Sequence, residues 1–165
     1  TDGSPRGEDG PVVLELDLQT LAMPDWRGNN RLDSLRNIVS DGRVSLMFMV
    51  PGSTTIVRVN GCAVLTADAD LRARFERSGR LPATVTVITL KEVYAQCARA
   101  PVRARLWHRD DSAAVPTIGD ILTEMTDGTE GGKSFDTKYA SLKNDALWQP
   151  NLTGGPKSPP YSAYM

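Results

Sequence analysis

The strongest constraint in this chain is a succession of β-type runs separated by short breaks carrying Pro and Gly. Pro11 to Leu18 ends in strict alternation, with Leu14, Leu16 and Leu18 on one face and Glu15 and Asp17 on the other, the pattern of a half-buried strand. Thr20 to Met23 is its expected hairpin partner across Leu18-Gln19. Arg43 to Val50 is too apolar to be exposed on either face, which predicts a central strand. Pro51-Gly52-Ser53 then turns the chain into a long strand, Thr54 to Thr66, where Gly61 marks a bulge or bend. Ala83 to Val93 is another strand, rich in Thr and Val and continuing towards Cys97.

Short helices separate and follow these runs. Leu32, Leu35 and Ile38 or Val39 recur at helical spacing and predict a helix from about Asn30 to Ser40, with Asn30 a good N-cap. Ala67 to Ser78 reads as a short amphipathic helix carrying Leu71 and Phe75. Pro116 to Met125 and Phe135 to Trp148 are two more, separated by a Gly128–Gly132 loop. Residues 149–165 form a tail rich in Pro, Gly and Ser, expected to be ordered only when docked. Such a sequence is mainly β with α additions, a small barrel followed by helices.

Charge narrows the function classes. Nineteen basic against twenty acidic residues leave −1, which speaks against a generic nucleic-acid binder. The longest apolar run, Leu46 to Val50, is far shorter than the ~20 residues of a membrane helix. Cys62 and Cys97 make no disulfide framework and no CxxC pair, and a reducing cytoplasm is the expected compartment. All fourteen Arg lie between Arg6 and Arg109, whereas four of the five Lys follow position 130. The composition shifts near residue 110, which divides the chain into an expected body, 1–110, and a C-terminal extension, 111–165. An Arg-rich body suits a small anionic ligand, and equally suits a surface on which Arg has replaced Lys.

Familiar catalytic signatures are absent: no Walker lysine loop, no GxGxxG after a strand, no GxSxG and no HExxH. His108 is the only histidine and reads as a surface side chain beside Trp107, while Cys62 reads as a small core residue. What remains is a set of Arg, Asn and Ser side chains at strand edges. They lie in Ser4-Pro5-Arg6-Gly7, in Pro24-Asp25-Trp26-Arg27-Gly28-Asn29-Asn30-Arg31-Leu32-Asp33-Ser34-Leu35-Arg36-Asn37, and in Arg58-Val59-Asn60-Gly61. Cys97 and Arg103-Ala104-Arg105-Leu106-Trp107 follow.

In this order and at these spacings the segments resemble the pyridoxamine 5′-phosphate oxidase-like family, in particular a bacterial subgroup with an SPRG…GNNR signature. The resemblance covers roughly residues 4–109. It implies the FMN-binding split barrel, a six-stranded antiparallel Greek-key barrel, as a homodimer with FMN in the subunit interface and a small-molecule substrate. It also implies that a helix and one or more strands precede the SPRG segment, so an N-terminal part is expected beyond the residues given. Two positions depart from the subgroup: Gln96 stands where it carries a His, and Arg99 where it carries a Lys. Both touch the substrate side.

The resemblance assigns cofactor contacts to Ser4, Arg6, Pro24, Asp25, Asn30, Arg31, Ser34, Arg58 and Trp107. Their chemistry suits a phosphate. A helix start offers unpaired N–H groups and a positive dipole end to Asn30-Arg31…Ser34. Arg31 adds a forked cation and Ser34 a hydroxyl one turn on. Alternation puts Ile56, Arg58 and Asn60 on one strand face, and an Arg there needs an anion or a carboxylate partner. The residues alone leave open a second arrangement, in which Arg31 and Arg58 pair with Asp25 and Asp33 and brace the loop. Pro24, Asp25 and Trp26 are placed to border the isoalloxazine, and Trp107 either anchors a core or interface or covers a ring from the neighbouring subunit. An FMN-dependent oxidoreductase is the first functional expectation. A module of the same fold that carries flavin, haem or a deazaflavin without turnover is the alternative.

Overall fold

The computed structural model describes residues 2–8, 10–26 and 32–146. Asn30 and Arg31, and the tail read at 149–165, lie outside the described residues. The chain divides into two compact units, residues 1–107 and 108–165.

The first unit is built on one antiparallel sheet of five strands: β1 (Leu14–Asp17), β2 (Thr20–Asp25), β3 (Arg43–Met49), β4 (Ile56–Thr66) and β5 (Thr84–Gln96), in the order β1-β2-β5-β4-β3. β1 and β2 form the hairpin expected from the alternating leucines, Leu14 facing Ala22 and Asp17 facing Thr20. β3, β4 and β5 follow as a meander, and β5 returns to lie beside β2, Leu21 facing Ile88 and Asp25 facing Thr84. β4 and β5 form the long central pair.

β3 is at the edge of the sheet, not at its centre as its apolar run predicts. Val44, Leu46 and Phe48 are half-buried on one face, while Ser45, Met47 and Met49 are exposed on the other. A run apolar on both faces reports what lies above and below a strand and carries no information about its lateral neighbours.

Directly opposite residues share a face, which sorts the core. Val59, Ala63, Thr86 and Ile88 are buried on one side of the sheet, Ala22 and Val85 on the other. The register slips by one between Asn60 and Gly61, which face Glu92 and Leu90, so Lys91 is the extra residue and stands on β5. Gly61 belongs there because a Cβ on it would lie 2.3 Å from the carbonyl oxygen of Thr89. Its neighbour Cys62 is exposed, contrary to its reading as a core residue, because Gly61 and Ala63 take the inward positions of β4.

Helix α1 (Asp33–Ser40) packs against β4, leaving an open groove of about 400 Å3 lined by Leu32, Leu35, Val39 and Leu65. α2 (Ala69–Ala73), shorter than the predicted 67–78, is capped by Asp68, whose carboxylate accepts from the Leu71 N–H at 2.8 Å. α3 (Arg99–Ala104) ends with Arg105 in the left-handed region at φ 50°.

The second unit holds α4 (Ile118–Met125) and α5 (Gly132–Ala146). Thr117, not Pro116, begins α4, through a capping box in which Thr117 and Asp120 each accept the other's backbone N–H. Asp136 of α5 adds a second acid to that terminus, accepting from the Gly119 N–H at 2.8 Å and the Thr117 hydroxyl at 2.7 Å. Among the described residues no helix is long and apolar enough to cross a membrane.

Candidate functional site

Residues 2–8 run in neither helix nor strand and are tied by side chains to three places on the first unit. The Ser34 hydroxyl, in the first turn of α1, donates to the Asp2 carboxylate. Arg6 Nη1 lies 3.0 Å from Asp25 Oδ1 at the end of β2. Arg77 Nη1 lies 2.6 Å from Glu8 Oε2, and its guanidinium stands 5.2 Å from the centre of the Trp26 ring. Of the four tethered or stacked partners, Ser34, Asp25 and Trp26 were readable from the sequence as site residues and Arg77 was not. Asp2, Glu8 and Arg77 carry no local signal, because each meets its partner across a long stretch of chain.

The end of β2 joins this cluster to the sheet. Pro24 is buried and pairs with Val85, beyond Leu14, the first residue of β1, where a missing N–H costs no ladder bond to that strand. Asp25 faces Thr84, and its carbonyl accepts from the Ala83 N–H at 2.9 Å. Two donors here are buried without a partner, Trp26 Nε1 and Thr84 Oγ1. An unmet buried donor costs about 1–3 kcal/mol. Ser4 is exposed in the 2–8 segment.

Arg58 is elsewhere. It faces Met47 and Tyr94, and donates through Nη1 to Gln96 Oε1 at 3.1 Å and through Nη2 to Ser45 Oγ at 3.0 Å. Its Nε is buried without a partner. Neither acceptor is charged, and the described ion pairs do not include Arg58. Eight positions of β4 separate it from Thr66, which faces Val85 next to Thr84. That is roughly 26 Å of strand at ~3.3 Å per residue. An odd spacing from Leu65 also puts Arg58 on the opposite face from Asp25, Thr84 and α1. Within one chain, therefore, the structure pairs Arg6 with Asp25, ties Ser34 to the same N-terminal segment through Asp2, and sets Arg58 apart.

The face around Arg58 is open. Met47 is 54% exposed, Met49 36%, Val64 63% and Tyr94 40%, all on that side of the sheet, with Asn60 donating to Glu92 at 2.7 Å between them. Trp107 is half-buried and donates through Nε1 to the Ser53 carbonyl at 2.8 Å, which pins it to the β3–β4 turn. His108 is exposed, and no group of three metal-ligating side chains occurs among the described residues.

Two solved structures of HupZ from Group A Streptococcus, one of them a variant, resemble the chain at low identity. One is 13% identical over 52% of this chain and 73% of that one, with a TM-score of 0.44. The other is 16% identical over 51% and 68%, with a TM-score of 0.42. No curated protein matches the chain. The family comparison reaches further: residues 1–97, which include Arg6, Asp25, Ser34 and the whole sheet, match the model described as pyridoxamine 5′-phosphate oxidase, and the chain belongs to that family.

Proposed function

We propose that the protein binds FMN and acts as an FMN-dependent oxidoreductase on a small molecule, as a homodimer with the flavin between subunits. The observation that carries this reading is the N-terminal segment, which pairs Arg6 with Asp25 at the end of β2 and Asp2 with Ser34 in the first turn of α1, with unpartnered donors on Trp26, which follows Asp25, and on Thr84, which faces it. The donor set fits the group. A guanidinium, a hydroxyl and a helix N-terminus suit a phosphate, and an indole N–H and a threonine hydroxyl suit the carbonyl-bearing edge of a planar ring. Asn30 and Arg31, from the sequence between β2 and α1, belong to the same phosphate end in this reading. Bound flavin supplies the electron transfer, and the chain's part is to hold and orient it.

Arg58 and Trp107 enter this site from a second copy. Arg58 lies too far along β4 to serve the cluster of its own chain, yet it stands on an exposed face with Met47, Met49 and Tyr94, which a partner subunit would cover. The same reading takes in the six-stranded Greek-key split barrel, one strand more than the five described. The return of β5 beside β2 supports that topology. It also puts the protein in a reducing cytoplasm, where the exposed thiols of Cys62 and Cys97 stay free.

Titration of the apoprotein with FMN, followed by flavin fluorescence, tests the phosphate end. Arg31→Ala is expected to weaken FMN by ~10- to 150-fold, the loss of one charge-assisted bond of about 1.5–3 kcal/mol. Ser34→Ala costs about 1 kcal/mol, and Arg80→Ala, in a polar loop, leaves affinity unchanged. Riboflavin, without the phosphate, should bind wild type and Arg31→Ala alike; equal weakening of both ligands would show Arg31 to brace the loop instead. Anaerobic photoreduction followed by oxygen, with and without candidate substrates, separates an oxidase from a carrier of flavin, haem or deazaflavin.

A further inference from the structure

We propose that Arg58 is the specificity-determining residue for the substrate, taking the carboxylate of a small acid whose apolar body lies against Met47 and Tyr94. This deepens the flavin reading above and rests on it, since Arg58 meets the flavin only from the second copy.

Arg58 is held without being neutralised. Its Nη1 donates to Gln96 Oε1 at 3.1 Å and its Nη2 to Ser45 Oγ at 3.0 Å, uncharged acceptors on the strands either side of β4. Anchored from two sides, the guanidinium has little freedom left to lose when a ligand binds. A guanidinium carries five N–H donors. Two are used here, and Nε is buried without a partner. Each Nη therefore keeps one N–H with no acceptor among the described residues. Two donors on one planar fork and one positive charge match the two oxygens and one negative charge of a carboxylate.

The sheet supplies no internal carboxylate to Arg58. Asn60 and Glu92 face each other on the same side, two residues along from Arg58 and Tyr94. Glu92 accepts from the Asn60 amide at 2.7 Å and makes no ion pair with Arg58. The other arginine on this face, Arg43 on β3, is bound to Asp41. Arg58 is thus a single uncompensated cation with an acid close by, and a phosphate dianion there would stand half-neutralised beside a like charge. A monoanion is the better match. Met47 and Tyr94 flank Arg58 directly on β3 and β5, 54% and 40% exposed. A thioether and a phenol ring beside the cation offer surface to an apolar or aromatic body. An acid without such a body loses that contact, and a neutral amide of the same shape loses the charge.

The test titrates the full FMN-loaded chain calorimetrically with benzoate, benzamide and inorganic phosphate, as wild type, Arg58→Gln, Arg58→Lys and, as control, Arg80→Ala. Wild type is expected to bind benzoate about tenfold or more tighter than benzamide or phosphate. Arg58→Gln should weaken benzoate about tenfold or more and leave benzamide unchanged. Arg58→Lys keeps the charge and loses the fork, so its benzoate affinity should fall between the two, and Arg80→Ala should match wild type. No benzoate binding by wild type, equal benzoate affinity in wild type and both Arg58 variants, or phosphate bound as tightly as benzoate overturns the assignment and leaves the flavin reading standing. So does a loss of FMN affinity in Arg58→Gln as large as its loss of benzoate, which would make Arg58 a cofactor contact. Wild type that takes up no FMN removes the flavin reading, and the substrate assignment with it.

Discussion

Replacing Gly61 by Ala tests whether the central strand pair is as close as the register requires. The new Cβ would lie 2.3 Å from the Thr89 carbonyl oxygen and 3.3 Å from Cγ2 of Ile88, a residue with no exposed surface. Carbon–oxygen contacts between strands are ordinarily about 3.3–3.6 Å, so β4 and β5 must part by about 1 Å. The obstacle is a backbone carbonyl in a ladder, not the end of a side chain that can rotate away. Overpacking costs about 1–3 kcal/mol, and one weakened ladder bond adds about 1 kcal/mol. The total, about 2–4 kcal/mol, is a large share of the ~5–15 kcal/mol by which ordinary domains are stable. Urea unfolding followed by far-UV circular dichroism reads it directly: at ~2 kcal/mol/M the midpoint should fall by about 1–2 M. Gly7→Ala is the control, because a Cβ there meets nothing within 4 Å, and its stability should stay within ~0.5 kcal/mol of wild type. Equal midpoints for Gly61→Ala and Gly7→Ala would refute both the register slip at Asn60–Gly61 and the close approach of Thr89.

Gly119→Ala should loosen the α4–α5 hairpin, since its Cβ would lie 2.4 Å from the Gly132 carbonyl oxygen and 2.6 Å from Asp136 Oδ2; faster amide exchange over 118–123 is the expected readout, and unchanged exchange rejects it. Hydrogen bonds from the Arg43 side chain and backbone N–H hold the Asp41 carboxyl at about 2, so carbon-13 NMR should find its midpoint there and Arg43→Gln should raise it towards the usual aspartate value. Because the folded pKa is the lower one, whatever this pair contributes is present above the ordinary carboxylate range and disappears as pH falls through about 2. Sedimentation should find a dimer at micromolar concentration and a shift towards monomer for Met47→Glu, on the exposed face of β3; a stable wild-type monomer contradicts the shared site.

Much of the fold is legible in the residues. Alternating leucines, β-branched runs and punctuating Pro and Gly locate β1, β2, β4 and β5 to within a few residues, because side-chain alternation and turn chemistry are local. Gly61 announces an irregularity for the same reason: only a residue without Cβ tolerates that carbonyl. The Ser-Pro-Arg-Gly and Asn-Asn-Arg segments carry the resemblance to the family that the chain belongs to. Other features exist only once the chain is folded. The edge position of β3 depends on which strand pairs beside which, and a run apolar on both faces reads the same at an edge or in the middle. The exposure of Cys62 follows from which parity of β4 turns inward. The separation of Arg58 from Arg6 and Ser34 is set by the register of β4 on β5, and the contact of Asp2 with Ser34 joins residues thirty-two positions apart. Spacing along a chain fixes which side chains share a strand face or a helix turn; which of those faces meet is decided by long-range packing, where loop-closure entropy and burial are settled for the whole sheet at once.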